Sequence, residues 1–394
     1  MERVEAGAEG RAGSAPSWTV LTGATGFLGR EILASLLARN PDERVLVTVR
    51  PAQGRSAQER VADLLARMYG DEAEREKASR RVTPLEFDLA SDEPTLSEDL
   101  RQKLAGCRCR VIHGAATVAL DNSLEDAENI NVGGTRRMLD LARAIAETAT
   151  LERFAYIGTA FVAGEREGVI LEEELDVGQR FHNTYEQSKC QAEALVRSYR
   201  DHLPISIFRP SVIAGHSVTG FTTSFKTLYW PLKVFTSGLV LCIPGDPDSF
   251  YDLVPVDFVA RALLHILERP DSVGRCYHLT AGHTVTLDRA VRLTAEFFGV
   301  RRIPPYVPMR LFYTLVRPIL YVVLWGRWRD VLTKSKVIVP YLMCKLEFDK
   351  RNTAAALEGS GIMLPDVETY LKTVYRYVKE SGWGRRPLPP AVSS

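Results

Sequence analysis

The chain has 394 residues, of which 45% are hydrophobic and 25% are charged. This balance is typical of a soluble globular protein, and the length suffices for one large α/β domain with an added lobe, or for two domains. The formal net charge of +1 argues against a nucleic-acid partner, because proteins that bind nucleic acids usually carry a basic surface.

The chain begins with small and charged residues and lacks the apolar core that a signal peptide requires. We therefore predict that residues 1–16 form a disordered leader and that the protein is cytoplasmic. Of the six cysteines, only Cys107 and Cys109 lie close together, within a predicted buried strand. Packing is favoured for this pair over a disulfide or a metal site, and no metal site is predicted.

A glycine-rich turn separates the first predicted strand from the first predicted helix. Its glycines stand three residues apart, at Gly23, Gly26 and Gly29. The first permits a tight turn, the second lets the backbone approach a pyrophosphate, and the third allows the helix to lie close to the sheet. The N–H groups at the helix start would face the phosphates. The pattern predicts a dinucleotide-binding turn, with an ordinary structural turn as the alternative.

Strands and helices then alternate along the chain. This alternation predicts a Rossmann-type α/β fold, in which a doubly wound parallel sheet carries helices on both faces. We assign residues 17–300 to this NAD(P)-binding domain and its substrate-binding insertions. Ligands bind such sheets at the carboxyl ends of the strands. The predicted strand ends share one rim, which holds Gly23, Arg50, Asp88, Ala115 and Thr159.

A tyrosine and a lysine four residues apart stand at the start of the helix predicted at about 184–200. Tyr185 and Lys189 are one turn apart on the same helix face. A nearby ammonium group and an oxidised nicotinamide would lower the pKa of Tyr185 from about 10 toward the working range. The hydroxyl of Thr159 can both donate and accept, so it can bond a substrate oxygen as its charge changes. These three residues are predicted to be catalytic.

The end of the second predicted strand bears on the choice of cofactor. A carboxylate there would bind the ribose 2′-hydroxyl and repel a 2′-phosphate. The sequence has Val49 and Arg50 instead, and the planar fork of an arginine matches phosphate geometry. NADPH is therefore predicted over NADH, with a solvated arginine as the alternative.

The late part of the chain has a different character. Residues 311–325 are strongly apolar and aromatic, are interrupted by Arg317 and Pro318, and have basic flanks. The segment is shorter than the roughly 20 residues that span a bilayer. Two interpretations remain, a lid over an apolar pocket and an interfacial segment that contacts a membrane peripherally. We predict a smaller, mostly helical C-terminal substrate lobe over 301–380 and a disordered tail over 381–394.

Several motifs in this order resemble those of the extended short-chain dehydrogenase/reductases over about residues 18–300. They are T-G-A-T-G-F-L-G (22–29), D-L (88–89), H-G-A-A (113–116), N-V-G-G-T (131–135), T-A-F-V-A-G (159–164), Y-E-Q-S-K (185–189), R-P-S-V-I-A-G (209–215) and V-P-V-D (254–257). Within that family the chain is most similar to the thioester-reductase and fatty acyl-CoA reductase branch. The phrases behind this are F-H-N-T-Y-E-Q-S-K (181–189), H-S-V-T-G-F-T (216–222) and L-V-P-V-D-F-V-A (253–260).

The resemblance implies roles for individual residues. Tyr185 would donate a proton to the carbonyl oxygen, Lys189 would anchor the ribose, and Asn131 would support the site. Implied cofactor contacts lie in the glycine turn, at the strand ends and after residue 209: Gly23, Thr25, Gly26, Phe27, Leu28, Gly29, Asp88, Leu89, Ala115, Lys189, Pro210, Ser211 and Val212. Of these, Asp88 and Leu89 would flank the adenine, and residues 210–212 would lie near the nicotinamide. His113 departs from the polar residue of many relatives and is expected to pack within its strand, and His278 is also expected to be structural. Trp230, Phe235 and the aromatic residues of 311–325 are candidates for the lining of an acyl pocket, with ordinary core packing as the alternative.

The leading hypothesis is an NADPH-dependent reductase of an acyl thioester, carried by coenzyme A or a carrier protein, that yields an aldehyde and, after a second hydride transfer, an alcohol. One alternative keeps the fold and changes the substrate to a sterol-like or other secondary alcohol or ketone, or to a nucleotide sugar for an epimerase or dehydratase. Another class is a non-catalytic NADP-binding sensor, against which intact Thr159, Tyr185 and Lys189 argue.

Overall fold

Strands and helices alternate along the chain as the sequence predicts. The computed structural model describes residues 17–386 apart from 51–53, 91–95, 121, 224, 226–228, 283, 327, 330–331 and 334–345. The strands are β1 (Ser17–Thr22), β2 (Arg44–Val49), β3 (Val82–Glu86), β4 (Arg108–His113), β5 (Thr150–Ile157), β6 (Gly168–Ile170), β7 (Ile205–Pro210), β8 (Val212–Ala214), β9 (Ile243–Pro244), β10 (Leu253–Pro255), β11 (Cys276–Leu279), β12 (Tyr306–Val307) and β13 (Leu346–Phe348).

The α-helices connect these strands and cover them. They are α1 (Phe27–Arg39), α2 (Ala57–Met68), α3 (Glu72–Ser79), α4 (Glu98–Leu104), α5 (Leu124–Glu128), α6 (Gly134–Ala146), α7 (Thr184–Arg197), α8 (Tyr229–Thr236), α9 (Val256–Glu268), α10 (Leu287–Phe298), α11 (Met309–Leu311), α12 (Arg317–Val323), α13 (Arg351–Leu357) and α14 (Val367–Glu380). Short 3₁₀ and π-helical turns lie between some of them.

Seven strands form one parallel sheet in the order β11-β7-β5-β4-β1-β2-β3. The chain runs outward from β1 to β3 on one side and from β4 to β11 on the other. The winding therefore reverses between β1 and β4, where such sheets open a crevice for ligands. This arrangement confirms the predicted doubly wound Rossmann-type fold.

A hydrophobic core covers each face of the sheet. On one face α1 and α9 pack against the strands through Ile32 and Leu263, both fully buried. On the other face α6 and α7 contribute Leu139 and Val196, also fully buried. Each side chain of this size contributes roughly 1.5–3 kcal/mol when it is removed from water. With both faces covered, ligands have access to the central strands at their carboxyl ends.

A further core lies beyond β7 and joins segments that are far apart in sequence. It contains Tyr229 of α8, Leu253 of β10, Leu293 of α10 and Val374 of α14. The two-stranded pair β8–β10 contributes to this core, whereas the pair β6–β13 packs in a separate cluster. The C-terminal helices thus share their core with segments that precede residue 300.

Residues 381–386 differ from the predicted disordered tail. They form turns in which Ser381 is fully buried, and the ring of Trp383 stacks on Phe298 with centroids 5.9 Å apart. The stacked indole removes apolar surface from water, so this short segment packs onto α10. The remainder of the predicted tail and the predicted leader, 1–16, lie outside the described residues.

Candidate active site

The glycine turn between β1 and α1 is packed tightly against the residues that follow β4. Gly23 has a φ of +77°, and a Cβ on it would lie 2.9 Å from the nitrogen of Ala115. A Cβ on Gly29 would lie 2.1 Å from the carbonyl oxygen of Gly23. Gly26 is the N-cap of α1 and has no side chain to bond the first N–H groups of the helix. The turn therefore excludes side chains where an anion would approach the helix start.

The other predicted residues of this turn lie where such an anion would bind. Thr25 and Gly26 are exposed, and Phe27 and Leu28 are half-buried in the first turn of α1. The N–H of Gly26 donates to the carbonyl of Gly23 at 2.8 Å, which closes the turn. The cradle fits the pyrophosphate of a dinucleotide, because backbone N–H groups and a helix N-terminus stabilise its charge.

Thr22, which the sequence analysis did not single out, holds the two sides of the crevice together. Its hydroxyl accepts hydrogen bonds from the N–H groups of Gly114 and Ala115 at 3.1 and 3.0 Å and lies 2.9 Å from Nδ1 of His113. His113 is buried beside Thr135, and burial lowers its pKa to about 3. It is therefore neutral, and the prediction that it packs within its strand is confirmed.

The end of β5 and the first turns of α7 bring the three predicted catalytic residues together. Thr159, which follows β5, lies close enough to Tyr185 to lower the pKa of its hydroxyl. Lys189 lies one turn further along α7, and its Nζ donates to the carbonyl of Ile157 at 2.9 Å. The same Nζ lies 4.4 Å from the ring centroid of Tyr156. The amine is thus held against the strand that carries Thr159.

The start of α7 is fixed by the residues just before the tyrosine. The side chain of Asn183 accepts the N–H of Glu186 at 3.0 Å and caps the helix. The carboxylate of Glu186 in turn accepts the backbone N–H of His182 at 2.9 Å and lies 3.0 Å from its ring. These bonds fix the first turn of α7 and therefore the direction of Tyr185.

Burial sets the protonation of the tyrosine and the lysine. It raises the pKa of Tyr185 to about 12, against the opposing effect of Thr159, and lowers the pKa of Lys189 to about 7. The predicted lowering of the Tyr185 pKa is not found in the protein alone, because burial is the largest effect on its hydroxyl. At neutral pH Tyr185 is therefore a phenol, which is the form that a proton donor needs.

A buried ion pair, missed in the sequence, lies beneath these residues. Arg209 of β7 is fully buried, and its guanidinium bonds both carboxylate oxygens of Glu193 at 2.9 and 2.7 Å. The ring of His278 lies 3.2 Å from the same guanidinium, which supports the predicted structural role of this histidine. Glu193 lies one turn after Lys189 and favours its ammonium form. The feature of the sequence that could have predicted this ion pair is an arginine within an otherwise apolar strand.

A π-helical turn, Asn129–Gly133, lies between α5 and α6. Asn131 in this turn is buried, donates to the hydroxyl of Ser188 at 2.9 Å and accepts the N–H of Thr117 at 2.9 Å. Ser188 donates to the carbonyl of Tyr185 at 3.1 Å. Asn131 therefore acts on α7 through Ser188, consistent with the supporting role that the resemblance implies.

The residues predicted near the adenine and its ribose lie on the other side of the crevice. Arg50 is exposed directly after β2, and Asp88 and Leu89 follow β3. A Cβ on Gly134 would lie 3.1 Å from Cβ of Leu89, so this glycine lets α6 approach the end of β3. The structure thus divides the rim, with these residues beside β2 and β3 and the catalytic residues beside β5.

Residues 210–212, predicted to lie near the nicotinamide, join β7 to β8. The hydroxyl of Ser211 donates to the carboxylate of Asp252, which also accepts the N–H groups of Ala281 and Gly282 at 2.8 and 2.9 Å. Asp252 is buried, and burial raises its pKa. It fixes the segments after β7 and β11 to each other. The sequence offered no signal for this residue, because it lies in an irregular stretch.

An apolar cavity of about 200 Å³ lies beside this segment. Its walls come from α8, α10, α14 and the residues around α12, among them Trp230, Phe235, Leu253, Ala290, Phe312 and Leu324. Leu253 of β10 pairs with Val212 of β8, so one wall of the cavity adjoins the predicted nicotinamide segment. Aromatic residues considered for an acyl pocket thus line one cavity.

Cysteines and metal-ligating side chains are dispersed through the described part of the chain. There, no group of three or more His, Cys, Asp or Glu side chains is arranged to hold a metal ion. The described cysteines, Cys107, Cys109, Cys190, Cys242 and Cys276, have free thiols. Cys107 and Cys109 are buried, which confirms their predicted packing role.

The sequence matches the protein family described as "Male sterility protein" over residues 21–263. Fatty acyl-CoA reductase 1 of Xenopus laevis is 28% identical over 302 residues, which cover 67% of this chain and 58% of that protein. A nonribosomal peptide synthetase, asaC, of Aspergillus flavus is 31% identical over 286 residues, covering 67% of this chain and 27% of that protein. The aligned part is therefore little more than half of the reductase and about a quarter of the synthetase.

Among solved structures, the terminal R domain from the myxalamid PKS-NRPS biosynthetic pathway is similar over nearly its whole length. The TM-score is 0.74 at 26% sequence identity, and the match covers 95% of this chain and 93% of that chain. The similarity therefore extends past the family match into the C-terminal helices.

Proposed function

The chain belongs to the male sterility protein family, a branch of the extended short-chain dehydrogenase/reductases, and we propose that it reduces acyl thioesters with NADPH. The proposed substrate is a fatty-acyl group carried by coenzyme A or by a carrier protein. Relatives named as fatty acyl-CoA reductases support the first carrier, and the similarity to a synthetase R domain supports the second. An aldehyde is the proposed first product, and a second hydride transfer would give the alcohol.

The meeting of Thr159, Tyr185 and the buried Lys189 at the end of β5 carries this proposal. NADPH, when bound, would supply a hydride to the thioester carbonyl carbon. Tyr185, protonated at neutral pH, donates its proton to the carbonyl oxygen as that carbon is reduced, and Thr159 stabilises the same oxygen. In this proposal Lys189 binds the ribose, and the carbonyl of Ile157 holds its amine at the strand end.

After hydride transfer, the remaining step of thioester reduction is the release of the thiol from the hemithioacetal. In the hemithioacetal the C–S bond breaks, the hydroxyl proton returns to the Tyr185 oxygen, and the leaving sulfur takes up a proton from water. The result is an aldehyde and a free thiol. No cysteine nucleophile is required, and Cys190 beside Lys189 is buried with its pKa raised to about 11, which disfavours the thiolate.

The preference for NADPH rests on Arg50. Arg50 is exposed at the end of β2, where the sequence has no acidic residue. Its guanidinium would complement a 2′-phosphate. A cytoplasmic location remains a prediction.

A second candidate is a reductase of sterol-like ketones, and the apolar wall of the cavity favours it over a nucleotide-sugar enzyme. The two candidates differ in one product. Thioester reduction releases one thiol per NADPH oxidised in the first step, whereas ketone reduction releases none.

The test follows NADPH oxidation and thiol release together in the purified protein. We expect a long-chain acyl-CoA to support both, with aldehyde or alcohol among the products. Oxidation of NADPH by a sterol-like ketone without activity on acyl-CoA would favour the second candidate. Binding of NADPH with no turnover of any acyl-CoA, acyl carrier protein or ketone would favour a non-catalytic sensor.

A further inference from the structure

Residues 309–325, which we call the apolar arm, carry much of the exposed apolar surface. The arm consists of α11, a π-helical turn (Phe312–Val316), α12 and the two residues that follow. Of the fifteen exposed large hydrophobic side chains in the described ranges, seven lie on this arm. Val322 and Trp325 are the most exposed of these, at 79% and 82%. Such clustering marks an interaction surface, because single exposed apolar residues are ordinary but contiguous ones are not.

The arm has two apolar faces rather than one. Phe312, Leu320 and Leu324 are spaced at multiples of four residues and line the cavity. Leu315, Ile319 and Val322 lie between them in sequence and are exposed. The arm therefore forms a wall between the cavity and its surroundings, with apolar side chains on both sides.

In sequence, every charged residue from Arg301 to Arg329 is an arginine, and Asp330 follows them. Residues 301–329 include six arginines and no aspartate or glutamate, whereas the whole chain has a formal net charge of only +1. Arg301, Arg302, Arg310 and Arg329 are exposed. Arg329 also lies over the ring of Tyr321, 4.1 Å from its centroid. Basic and aromatic residues at the border of an apolar surface suit the headgroup layer of an anionic membrane.

The same charge argues against a second copy of this chain as the partner. Two arms packed face to face would bring arginines toward arginines, which costs free energy. Phospholipid headgroups offer the opposite charge, and the acyl chains beneath them accept Leu, Val and Trp side chains. Among the described residues, no helix is both long enough and apolar enough to cross a bilayer.

We propose that the exposed face of the apolar arm binds an anionic lipid surface, and that the acyl chain of the substrate enters the cavity from that surface, past the arm. The first half of this inference depends on the arm alone. The second half rests on the proposed function, since it assigns the cavity to an acyl chain.

The experiment compares two glutamate substitutions at equally exposed apolar positions. Val322→Glu changes the arm, and Met363→Glu changes a residue outside it that is 77% exposed. The full-length proteins are sedimented with phosphatidylcholine vesicles, with and without phosphatidylglycerol. We expect the wild type to bind the anionic vesicles and to be released by salt, and we expect Val322→Glu to weaken binding about tenfold. Met363→Glu should bind as the wild type does.

Three results would overturn the proposal that the arm binds lipid. The first is a wild type that does not sediment with anionic vesicles, and the second is an equal loss of vesicle binding in both variants. The third result is light scattering that shows a wild-type dimer separated into monomers by Val322→Glu, while vesicle binding persists. Reduction of a short, soluble acyl-CoA is measured on the same preparations. Val322→Glu should keep that activity and lose activity on a long-chain acyl group delivered in vesicles. If any of these three results appears while the wild type still reduces the soluble acyl-CoA, this inference is rejected and the proposed function stands. If the wild type binds anionic vesicles but reduces no acyl-CoA, the proposed function is rejected.

Discussion

The catalytic rim and the apolar arm differ in how their side chains are held and in how much of their surface is exposed. At the rim, Lys189 and Asn131 are held by hydrogen bonds to neighbouring strands and helices. On the arm, Val322 and Trp325 project from the protein with most of their surface exposed. In our proposals, the fixed geometry of the rim serves the chemistry, and the exposed apolar surface of the arm binds a lipid partner that gives access to the substrate.

The largest expected effect is at the rim. Tyr185→Phe removes the proton donor and keeps the ring, so we expect reductase activity to fall by about 10²–10⁴-fold. Cofactor binding, measured by fluorescence titration, should change little. Tyr199→Phe, a partly buried tyrosine just after α7, is the matched control and should keep full activity. Comparable activity in the two variants would show that the rim is not the reaction centre.

The next effect tests the far side of the rim. Arg50→Asp replaces a cation with an anion where a 2′-phosphate would bind, so the KM for NADPH should rise about ten- to a hundredfold. The KM for NADH should change far less. Arg80→Asp, another exposed arginine, provides the control. Equal changes for both cofactors would remove the argument for NADPH.

A smaller effect is expected where the rim meets the cavity below the arm. Ala290 is buried in the cavity wall, and Ala290→Phe would fill part of its volume. The KM for a long-chain acyl-CoA should rise about tenfold, while overpacking costs the fold about 1–3 kcal/mol. A short acyl-CoA serves as the internal control and should be reduced at the wild-type rate. A uniform loss across chain lengths would mean that the acyl chain binds elsewhere.

The smallest effect is on stability, and its size depends on pH. The pKa of Lys189 falls from 10.5 to about 7 through burial, so between these values the unfolded chain binds one more proton than the folded chain. Stability therefore rises with pH through this window, and the cost of burial is fully present below pH about 7.

Lys189→Met should abolish activity and yet raise the melting temperature by at least about 2 °C below pH 7. The gain should shrink as the pH approaches 10.5. Thermal unfolding followed by circular dichroism at several pH values measures this, with the exposed Lys372→Met as the control. A destabilised Lys189→Met protein at neutral pH would show that the bond to Ile157 outweighs the cost of burial.

Local patterns account for what the sequence predicted well. The parallel sheet could be predicted from alternating apolar strands and amphipathic helices. The roles of Gly23 and Gly29 could be predicted from their spacing, because the turn between β1 and α1 leaves no room for a side chain at either position. The proximity of Tyr185 and Thr159 could be predicted from the sequence, because one begins a helix and the other follows a strand at the same rim of the sheet.

Contacts between distant segments could not be predicted in the same way. The carboxylate of Asp252 bonds the backbone after β11, and Arg209 pairs with Glu193 across two elements. Neither pairing has a local period or spacing that would reveal it. The π-helical turn at Asn131 also escaped prediction, because its sequence continues the pattern of an ordinary helix.

The most direct test of the central claim is a single turnover with NADPH that carries deuterium at the transferred position and a long-chain acyl-CoA. We predict deuterium at the aldehyde carbon together with one equivalent of free thiol in the wild type, and neither product with Tyr185→Phe. Thiol released without deuterium in the product would indicate hydrolysis, and labelled aldehyde from Tyr185→Phe at the wild-type rate would contradict the role of the Thr159–Tyr185 pair.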